Sequence, residues 1–588
     1  MFKTTKKKLR LQPDKVADTI AEKATDVQQS GAKHLKRYIA KRTGRTEGVR
    51  RFTAGWLALA TGLCIASAFA ALALFNRSHT SAPADGGTYV EGLVGSVGNL
   101  NPLFAGGNVD TELDHLVFNG LLKYDTEGKL AADLARSWQV SKDGKTYTVN
   151  LKEGVAWHDG QPFTSEDVVF TIKTIQNPLT RSSLYASWQG VDVSAIGKYK
   201  VRFVRQQPLA PFADALTTAI LPAHLLAPIA PEDLRTAAYN SAPVGTGPFV
   251  FKMLRKTGRG EQLELSANKR YYQGKPRLDR FIVAAYTNEH DLTLDVKNRE
   301  ITAAVDLSSP EVESLTSSNH IQTTQYPLNS GVFAFFKMDK APFNDRKVRS
   351  ALAQSIDRTA VLALFNARYK PLSTPLLQGQ IGYQENGQRT NLKKAAQLLD
   401  QAGWKLQNGV RKKGKTQLSF TLTTRGTDEY KMMAEELQRQ WAQLGVVVKP
   451  ELLSQEQIEQ TALGAHQYDM LLFGISIGSD PDVLAYWHSS QARPGQKNFS
   501  EWKSATADLN LEIGRSKIDP LLRAPRYQAF TRTWLNEVPA IALYQPFANY
   551  TYNQNAQGFK IFPLNVLADR LTNVEEWTVE TRKVYLTP

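Results

Sequence analysis

Cysteine is almost absent from this sequence of 588 residues, which contains a single one, Cys64. One thiol cannot form an intrachain disulfide, a cysteine-based zinc site or an iron–sulfur cluster, so stability must come from packing. The nine histidines are scattered, and neither an H-E-x-x-H motif nor a close histidine pair occurs. We therefore predict a protein without a metal site and without a cofactor.

Net positive charge is small outside the N-terminal region. Residues 1–51 contain 15 Lys or Arg and 5 Asp or Glu, and thus carry +10 of the net charge of +16. A basic tail followed by a nearly balanced body differs from the basic groove of a nucleic-acid-binding protein. We interpret the basic and aromatic string Lys269-Arg270-Tyr271-Tyr272 as surface packing, and we predict no nucleic-acid partner.

One hydrophobic run contains no charged residue. It extends over 24 residues from Phe52 to Phe75 and is rich in Ala and Leu. As a helix it is about 36 Å long, enough to cross a hydrocarbon layer of roughly 30 Å. With the basic residues before it, this run predicts a single transmembrane helix over 52–75, a cytoplasmic tail over 1–51 and an extracytoplasmic body.

Cleavage of this segment is the competing interpretation. Ala68-Phe69-Ala70 fits a small-x-small processing site, and Arg50-Arg51 faintly resembles a twin-arginine signal. The apolar run is longer than the usual 7–15-residue signal core, which favours an uncleaved signal-anchor. Cys64 is preceded by Leu63 rather than by a small residue, so a thiol packed in a membrane helix is favoured over a lipid-attachment site.

Apolar residues recur at roughly helical spacing in the basic tail. Two interpretations stay open: an amphipathic helix on the anionic inner leaflet, or a solvated extension that only fixes topology. The residues concerned are Val16, Ile20, Val27, Leu35 and Ile39.

Strand-like runs and amphipathic helices alternate after a linker at 76–87. Thr164-Ser165-Glu166-Asp167 has the pattern of a capping box, and Asn391 is positioned to cap a helix that Gly403 ends. Met433, Leu437, Trp441 and Leu444 form one apolar stripe, closed by Gly445 and followed by the strand Val446-Val447-Val448. A helix that leads directly into a buried strand predicts an α/β fold.

The string Gly474-Ile475-Ser476-Ile477-Gly478 matches G-x-S-x-G, the nucleophile elbow of serine hydrolases. That fold places its catalytic histidine well downstream, after an acid, whereas only His488 follows here, 12 residues on. We keep a serine hydrolase based on Ser476 as a remote alternative and predict that the protein is not an enzyme.

Two further motifs are interpreted as turns. His158-Asp159-Gly160 lies between a strand and the Thr164 helix, where a surface turn explains it more simply than a metal site does. Gly245-Thr246-Gly247-Pro248 lacks the lysine and the following helix of a phosphate loop, so we expect a tight turn into the strand Phe249-Val250-Phe251.

A series of strings occurs in an order typical of one family. They are LARSW from Leu134, SKDGKTYT from Ser141, LKEGV from Leu151, WHDG from Trp157, FTSEDVVF from Phe163, PVGTGPF from Pro243, NKRYY from Asn268, PRLD from Pro276, VRSAL from Val348, IDR from Ile356, AGW from Ala402, YD from Tyr468 and DPD from Asp480. Together they resemble the family 5 extracellular solute-binding proteins, which are the dipeptide, oligopeptide and nickel receptors of ABC importers. The resemblance covers about residues 88–575.

The resemblance implies an α/β, periplasmic-binding-protein-like fold with two lobes, a hinge and an extra domain, preceded here by the N-terminal transmembrane helix. Domain I is expected to combine 88–125, 206–285 and 541–588. Domain II is expected at 126–205 and domain III at 286–540.

The resemblance also implies a function without covalent chemistry. We expect a membrane-anchored, monomeric receptor that captures a peptide between its lobes, closes on it and delivers it to ABC permease subunits. A membrane-tethered ligand sensor or interaction protein of the same fold is the main alternative.

Ligand-lining candidates follow from the same resemblance. In peptide-binding members the acid that pairs with the ligand's amino group stands three residues before an Asp-Pro or Glu-Pro step, and here that position is Ile477. An aliphatic side chain offers no charge-assisted bond, so we expect a weaker requirement for a free amino terminus. Asp480 or Asp482 could substitute, although a turn or helix cap is the simpler role for both. The full set of candidates is Asn99, Leu100, Asn101, Tyr185, Trp188, Phe335, Phe336, Gly474, Ser476, Ile477, Asp480 and Asp482.

Overall fold

The structure is a computed structural model that describes residues 31–36, 38, 47–365, 369–387 and 389–585. It divides into two compact units, one comprising residues 1–82 and 582–588 and the other residues 83–581.

The smaller unit contains one long helix, Glu47–Ser78. Its window Phe52–Ala71 has a mean hydropathy of 1.7, and none of this window is buried against protein. This helix is long and apolar enough to cross a membrane, as the sequence predicts. In the basic tail Leu35 is exposed, and the other four apolar positions lie outside the described residues. Residues 31–36 are also helical, and the strands His79–Ala84 and Glu580–Tyr585 form a two-stranded sheet.

A seven-stranded mixed sheet forms the centre of the first lobe of the larger unit. The strand Thr88–Val94 is parallel to both of its neighbours, and the other neighbouring pairs are antiparallel. In spatial order the strands are Ile321–Pro327, Phe547–Asn553, Ala303–Val305, Thr88–Val94, Arg280–Tyr286, Gly260–Ala267 and Phe249–Thr257.

A smaller antiparallel sheet completes the first lobe. One continuous apolar core includes Leu93 and Phe281 of the large sheet and Tyr147 and Phe203 of the small one, so the two sheets form one body. The small sheet has the order Ala135–Val140, Thr146–Leu151, Lys200–Arg205 and Val191–Gly197, and a separate pair consists of Leu122–Tyr124 and Leu130–Ala132.

The second lobe is built on a six-stranded sheet that is covered on both faces. Along the strand Ser330–Phe336, Val332, Ala334 and Phe336 enter one apolar core, while Phe333 and Phe335 enter another. The strand order is Lys370–Pro371, Ala540–Gln545, Ser330–Phe336, Met470–Ser476, Ser419–Arg425 and Val447–Leu453, and a small sheet adds Lys405–Gln407, Val410–Lys413 and Thr416–Gln417.

Helices surround the sheets of both lobes. In the first lobe the α-helices are Asn108–Val117, Ser165–Gln176, Tyr185–Trp188, Phe212–Ala215, Ala223–Leu226, Glu289–Lys297 and Ser309–Ser314, with shorter 3₁₀ turns and the 3₁₀ segment Leu567–Glu576. In the second lobe they are Arg346–Ser355, Arg358–Ala363, Leu392–Gln401, Asp428–Ala442, Gln455–Gln457, Leu484–Trp487, Ala505–Ser516 and Pro520–Glu537, with a π-helical turn at Ile458–Gly464.

The predicted helix signals are confirmed. Thr164 and Asp167 form the capping box of Ser165–Gln176, and Asn391 Oδ1 accepts a hydrogen bond from the Lys394 N–H. Gly445 follows the helix Asp428–Ala442 with a φ of +76°, a conformation that favours glycine.

Two sheet assignments differ from the predicted domain boundaries. The strands Ala303–Val305 and Ile321–Pro327, placed in domain III by the sequence, belong to the seven-stranded sheet. The boundary at 541 divides the strand Ala540–Gln545, which belongs to the six-stranded sheet. Short apolar strands look alike whichever sheet they join, because position in a sheet depends on contacts distant in sequence. The three-domain division itself stays a prediction.

A buried charge cluster links the sheet of the first lobe to the segment after its last strand. Arg570 is 1% exposed, and its guanidinium donates to the Glu112 carboxylate at 2.7 and 2.8 Å and also to Glu91. Tyr550 donates to Glu91 Oε2 at 2.6 Å. Burial raises the pKa of Glu91 to about 7, although the Arg570 charge opposes this shift. The guanidinium of Arg570 therefore binds two buried carboxyl groups, those of Glu91 and Glu112.

We predict that folding stability falls as the pH rises from about 5 to 7. In this window the folded protein holds a proton on Glu91 that the unfolded chain, with a carboxyl pKa near 4.5, has released. The slope from this one group is at most about 1.4 kcal/mol per pH unit. Urea unfolding of the detergent-solubilised full chain, followed by tryptophan fluorescence, measures the free energy of unfolding at each pH.

Two variants separate this group from the rest of the protein. Glu91→Gln should flatten the pH profile, whereas Glu232→Gln, at an exposed position, should leave its slope unchanged. A profile that keeps its full slope in Glu91→Gln would contradict the assignment.

Candidate functional site

Two short segments connect the lobes side by side. The chain passes from Pro327 to Ser330 through Leu328 and Asn329, and it returns from Gln545 to Phe547 through Pro546. Leu328 N–H donates to Pro546 O at 3.0 Å, and Gln545 Nε2 donates to Leu328 O at 2.9 Å. The two connections are therefore bonded to each other, which defines a hinge.

The turn after the strand Met470–Ser476 is bonded to this hinge. The N–H groups of Ile477 and Gly478 both donate to Asn329 O, at 2.8 and 2.9 Å. Asn329 Nδ2 donates to Ser479 Oγ at 3.2 Å and to Asn565 Oδ1 at 3.0 Å, and Ser479 Oγ donates to Asn565 Oδ1 at 2.9 Å. Asn565 belongs to the first lobe and Ser479 to the second. The cluster formed by the side chains of Asn329, Ser479 and Asn565 therefore connects the two lobes.

A second contact between the lobes lies beside the first. Tyr124 donates to Asp214 Oδ1 at 2.8 Å, and its hydroxyl lies near the side chain of Ser479 in the other lobe. Burial raises the pKa of Asp214 to about 6, and the nearby Asp480 charge adds to the rise. Asp480 is held in its own lobe by two bonds to Arg523, at 2.5 and 2.6 Å. Charged and hydroxyl groups of both lobes thus meet at one junction.

A cavity of about 460 Å³ lies in the first lobe next to this junction. Tyr124 and Asn565, which take part in the contacts between the lobes, also line the cavity, and the half-exposed Val566 lines it as well. Its wall comes from the helix Asn108–Val117 and the loops on either side, from 183–184 and 217–219, and from the segment 565–575.

A polar network forms one wall of this cavity. Asn119 Nδ2 donates to Asp133 Oδ2 at 3.0 Å and to the Tyr271 hydroxyl at 3.3 Å, and Thr246 Oγ1 donates to Asn119 Oδ1 at 3.0 Å. A Cβ at Gly245 would lie 1.8 Å from the Val117 carbonyl oxygen, so only glycine permits this approach. The segment 245–248 leads directly into the strand Phe249–Thr257, as predicted, but it forms a bend rather than a hydrogen-bonded turn.

The cavity also contains ionisable groups. Burial alone would lower the pKa of His115, but its hydrogen bond to Asp569 at 3.3 Å, the Asp569 charge and the Thr111 carbonyl at 3.0 Å raise it. Lys123 Nζ donates to Thr572 O at 2.9 Å. Burial raises the pKa of Asp114 well above its ordinary value.

The predicted ligand residues near the N-terminus shape the loop that leads into the cavity. Asn99 Nδ2 donates to Arg235 O at 3.2 Å, Asn101 Nδ2 donates to Asn240 Oδ1 at 3.0 Å, and Leu100 is buried in the core. This loop continues into Pro102, which lines the cavity. Ligand contact by these three residues stays a prediction.

The domain II candidates lie behind the cavity. Trp188 is buried against Phe203 and Phe212, and its indole N–H donates to the hydroxyl of Thr218, a cavity-lining residue, at 3.3 Å. Tyr185 begins the same short helix and is half-buried. Contact of either with ligand is likewise untested and stays a prediction.

Two aromatic candidates of the second lobe are core residues in this conformation. Phe335 and Phe336 are both fully buried, on opposite faces of the central strand. A strand covered on both faces has no solvent-facing side, so neither ring has surface left for a ligand.

The remaining candidates follow the strand Met470–Ser476. Ser476 is exposed, Ile477 is buried in an apolar core, and a Cβ at Gly474 would lie 2.8 Å from the Tyr430 hydroxyl. Asp482 pairs with Arg515 at 2.9 Å, as Asp480 does with Arg523. Asp480 and Asp482 thus both form ion pairs with arginines of this lobe. The sequence suggests only a turn or a helix cap for these two residues.

No described histidine is hydrogen bonded to Ser476. His488 Nδ1 contacts Ser490 Oγ at 2.9 Å, and its Nε2 contacts Glu512 at 3.1 Å. The hydrolase alternative therefore lacks its general base at this serine. Over the described residues, no group of three or more His, Cys, Asp or Glu side chains has an arrangement that could hold a metal ion.

Sequence patterns do not reveal the residues at the junction. Tyr124, Asp214, Ser479 and Asn565 come from four distant parts of the chain, and none lies within a motif of recognisable spacing. Asp114 similarly resembles any polar residue on an amphipathic helix. Only the folded structure brings these groups together.

Comparison with known proteins relates this architecture to one family. The sequence profile for the middle region of the bacterial extracellular solute-binding proteins, family 5, matches residues 129–496. The oligopeptide-binding protein AppA of Bacillus subtilis is 28% identical over 514 residues, which cover 84% of this chain and 92% of that protein.

Solved structures agree with the sequence comparison. The structure of Bacillus subtilis AppA in complex with a nonapeptide superposes with a TM-score of 0.69 at 26% identity, covering 85% of this chain and 100% of that one. NikZ from Campylobacter jejuni, in complex with Ni(L-His), superposes with a TM-score of 0.70 at 26% identity and covers 84% of this chain and 99% of its own. The match to the family profile, together with these superpositions, shows that the chain belongs to the bacterial extracellular solute-binding proteins, family 5.

Proposed function

We propose that this protein is the membrane-anchored substrate-binding protein of an ABC importer and that its ligand is a peptide, most simply an oligopeptide. Support comes from the similarity to AppA, an oligopeptide-binding protein whose structure contains a nonapeptide. The observation that carries the proposal is the junction of Tyr124, Asp214 and Ser479 beside a cavity of about 460 Å³, a volume in the range of ligand pockets.

Capture by lobe closure follows from the connections between the lobes. Only a few residues, at 328–329 and 546, separate the strands of one lobe from those of the other. Short paired connections of this kind allow the two lobes to rotate as rigid bodies about the hinge. The hydrogen bond between Ser479 and Asn565 joins the two lobes directly beside this hinge.

Attachment to the membrane is proposed from the helix Glu47–Ser78 and the basic tail. The apolar window of 20 residues matches the thickness of a bilayer, and the 15 basic residues of the tail favour a cytoplasmic N-terminus. The lobes are then extracytoplasmic, and they deliver the ligand as a monomer to permease subunits in the same membrane.

Native mass spectrometry of the full-length chain, released from detergent micelles, tests this function. We expect a ladder of bound peptide masses that a denaturing step removes, because receptors of this kind retain cellular ligand. A single non-peptide mass would contradict the peptide assignment. A protein that is empty and also fails to bind a peptide library would favour the sensor function instead.

We also predict that the receptor tolerates a blocked amino terminus. The position that carries the amine-binding acid in peptide-binding relatives is Ile477, which is buried in an apolar core and leaves no carboxylate there. Its N–H and that of Gly478 are already bonded to Asn329. Calorimetric titration with a matched pair, one unblocked peptide and its N-acetylated form, should give dissociation constants within about threefold, a difference of at most about 0.7 kcal/mol.

The opposite result has a clear meaning. Tight binding of the unblocked peptide that N-acetylation abolishes would show that another group in the site captures the amino terminus. A C-terminally amidated version of the same peptide serves as the control for a change at the other end.

A further inference from the structure

Asp114 is a partly buried acid of the cavity, and one of its carboxyl oxygens is buried without a hydrogen-bond partner. It lies in the last turn of the helix Asn108–Val117 and lines the cavity. Its Oδ1 atom is inaccessible to solvent and has no hydrogen-bond partner among the described residues. No hydrogen bond contributes to the environment of this carboxyl group, which is affected only by burial and by the charges of His115 and Asp110.

The other carboxyl groups of the cavity have partners. Asp133 accepts bonds from Asn119, Tyr272 and Gln273. Asp569 accepts from the backbone N–H groups of Asn565 and Val566 and pairs with His115. Burial raises the pKa of Glu575, and the nearby Lys123 charge opposes this rise. Asp114 Oδ1 thus differs from the carboxyl groups of Asp133 and Asp569, which accept hydrogen bonds.

The position of Asp114 is unfavourable for a carboxylate in the empty cavity. Burial of Oδ1 removes water from the charged form, and an unpaired buried polar atom is destabilising. The exposed carbonyl groups at a helix C-terminus add partial negative charge, and Asp110 adds more. The imidazole of His115 is already hydrogen bonded to Asp569. An arrangement that is unfavourable for folding, such as this unpaired carboxyl oxygen, occurs chiefly at functional sites of proteins.

We propose that Asp114 receives a cationic group of the ligand, an ammonium or a guanidinium, which on the proposed peptide function is most simply the side chain of a lysine or arginine. The walls suit such a group, because Pro102, Ala105 and Leu184 provide apolar surface for an aliphatic stem while the carboxyl group binds its charged end. This inference rests on the proposed function and narrows it to receptors that favour basic peptides.

The test compares three peptides on the full-length chain in detergent. They are Ala-Ala-Lys-Ala-Ala, the same peptide with norleucine in place of lysine, and the N-acetylated lysine peptide. We expect the wild-type protein to prefer lysine over norleucine by about 10–100-fold, as for a charge-assisted bond of a buried group. The N-acetylated lysine peptide should keep this affinity.

Two variants assign the preference to Asp114. Asp114→Asn, which has nearly the same shape without the charge, should reduce the preference for lysine over norleucine to about unity. Asp192→Asn, at an exposed position on the small sheet, should keep the full preference. Asp114→Ser repeats the comparison if the asparagine variant does not fold.

Each outcome separates the inference from the function on which it rests. If the wild-type protein binds the peptides but Asp114→Asn changes neither the lysine preference nor the effect of acetylation, the inference is wrong and the function stands. If N-acetylation weakens binding and Asp114→Asn removes that effect, the cation is the peptide's amino terminus, and the role of Asp114 is supported. If no peptide binds, the proposed function fails, and the inference fails with it.

Discussion

The buried guanidinium of Arg570 is the interaction on which the first lobe depends. It binds the carboxyl groups of Glu91, in a central strand, and Glu112, in the helix beside the cavity. Removing one partner from such a buried ion cluster typically lowers the free energy of unfolding by about 3–5 kcal/mol, because the remaining charges are left without compensation. The position of the helix Asn108–Val117, and with it the cavity wall that contains Asp114 and His115, is therefore fixed by a residue near the C-terminus.

Local chemistry explains which parts of the fold could be predicted. Thr164, Asn391 and Gly445 act on backbone groups within a few residues of themselves, so their roles can be inferred from neighbouring sequence alone. The run from Phe52 predicts its helix because length and apolar composition suffice. The resemblance to the family supplied the two lobes and the hinge, which spacing and periodicity alone do not reveal.

The candidate site was harder to predict, for two physical reasons. An aromatic residue such as Phe335 has the chemistry of a ligand platform, but a strand covered on both faces buries the same residue type. The contacts of Tyr124 with Asp214 and Ser479 join residues that are separated by tens to hundreds of positions. No pattern along the chain identifies such neighbours, and the unpartnered state of Asp114 is a property of its surroundings rather than of its helix.

The order of the strands in the seven-stranded sheet has a consequence for biogenesis. Of the seven strands of this sheet, Phe547–Asn553 is synthesised last. It does not lie at an edge but between Ile321–Pro327 and Ala303–Val305. As the chain emerges from a ribosome or translocon, the second lobe is complete before the first, whose sheet is left with two unpaired inner edges. Unpaired edges favour aggregation, so the interval before the final residues emerge is the stage at which the nascent protein needs protection by a chaperone.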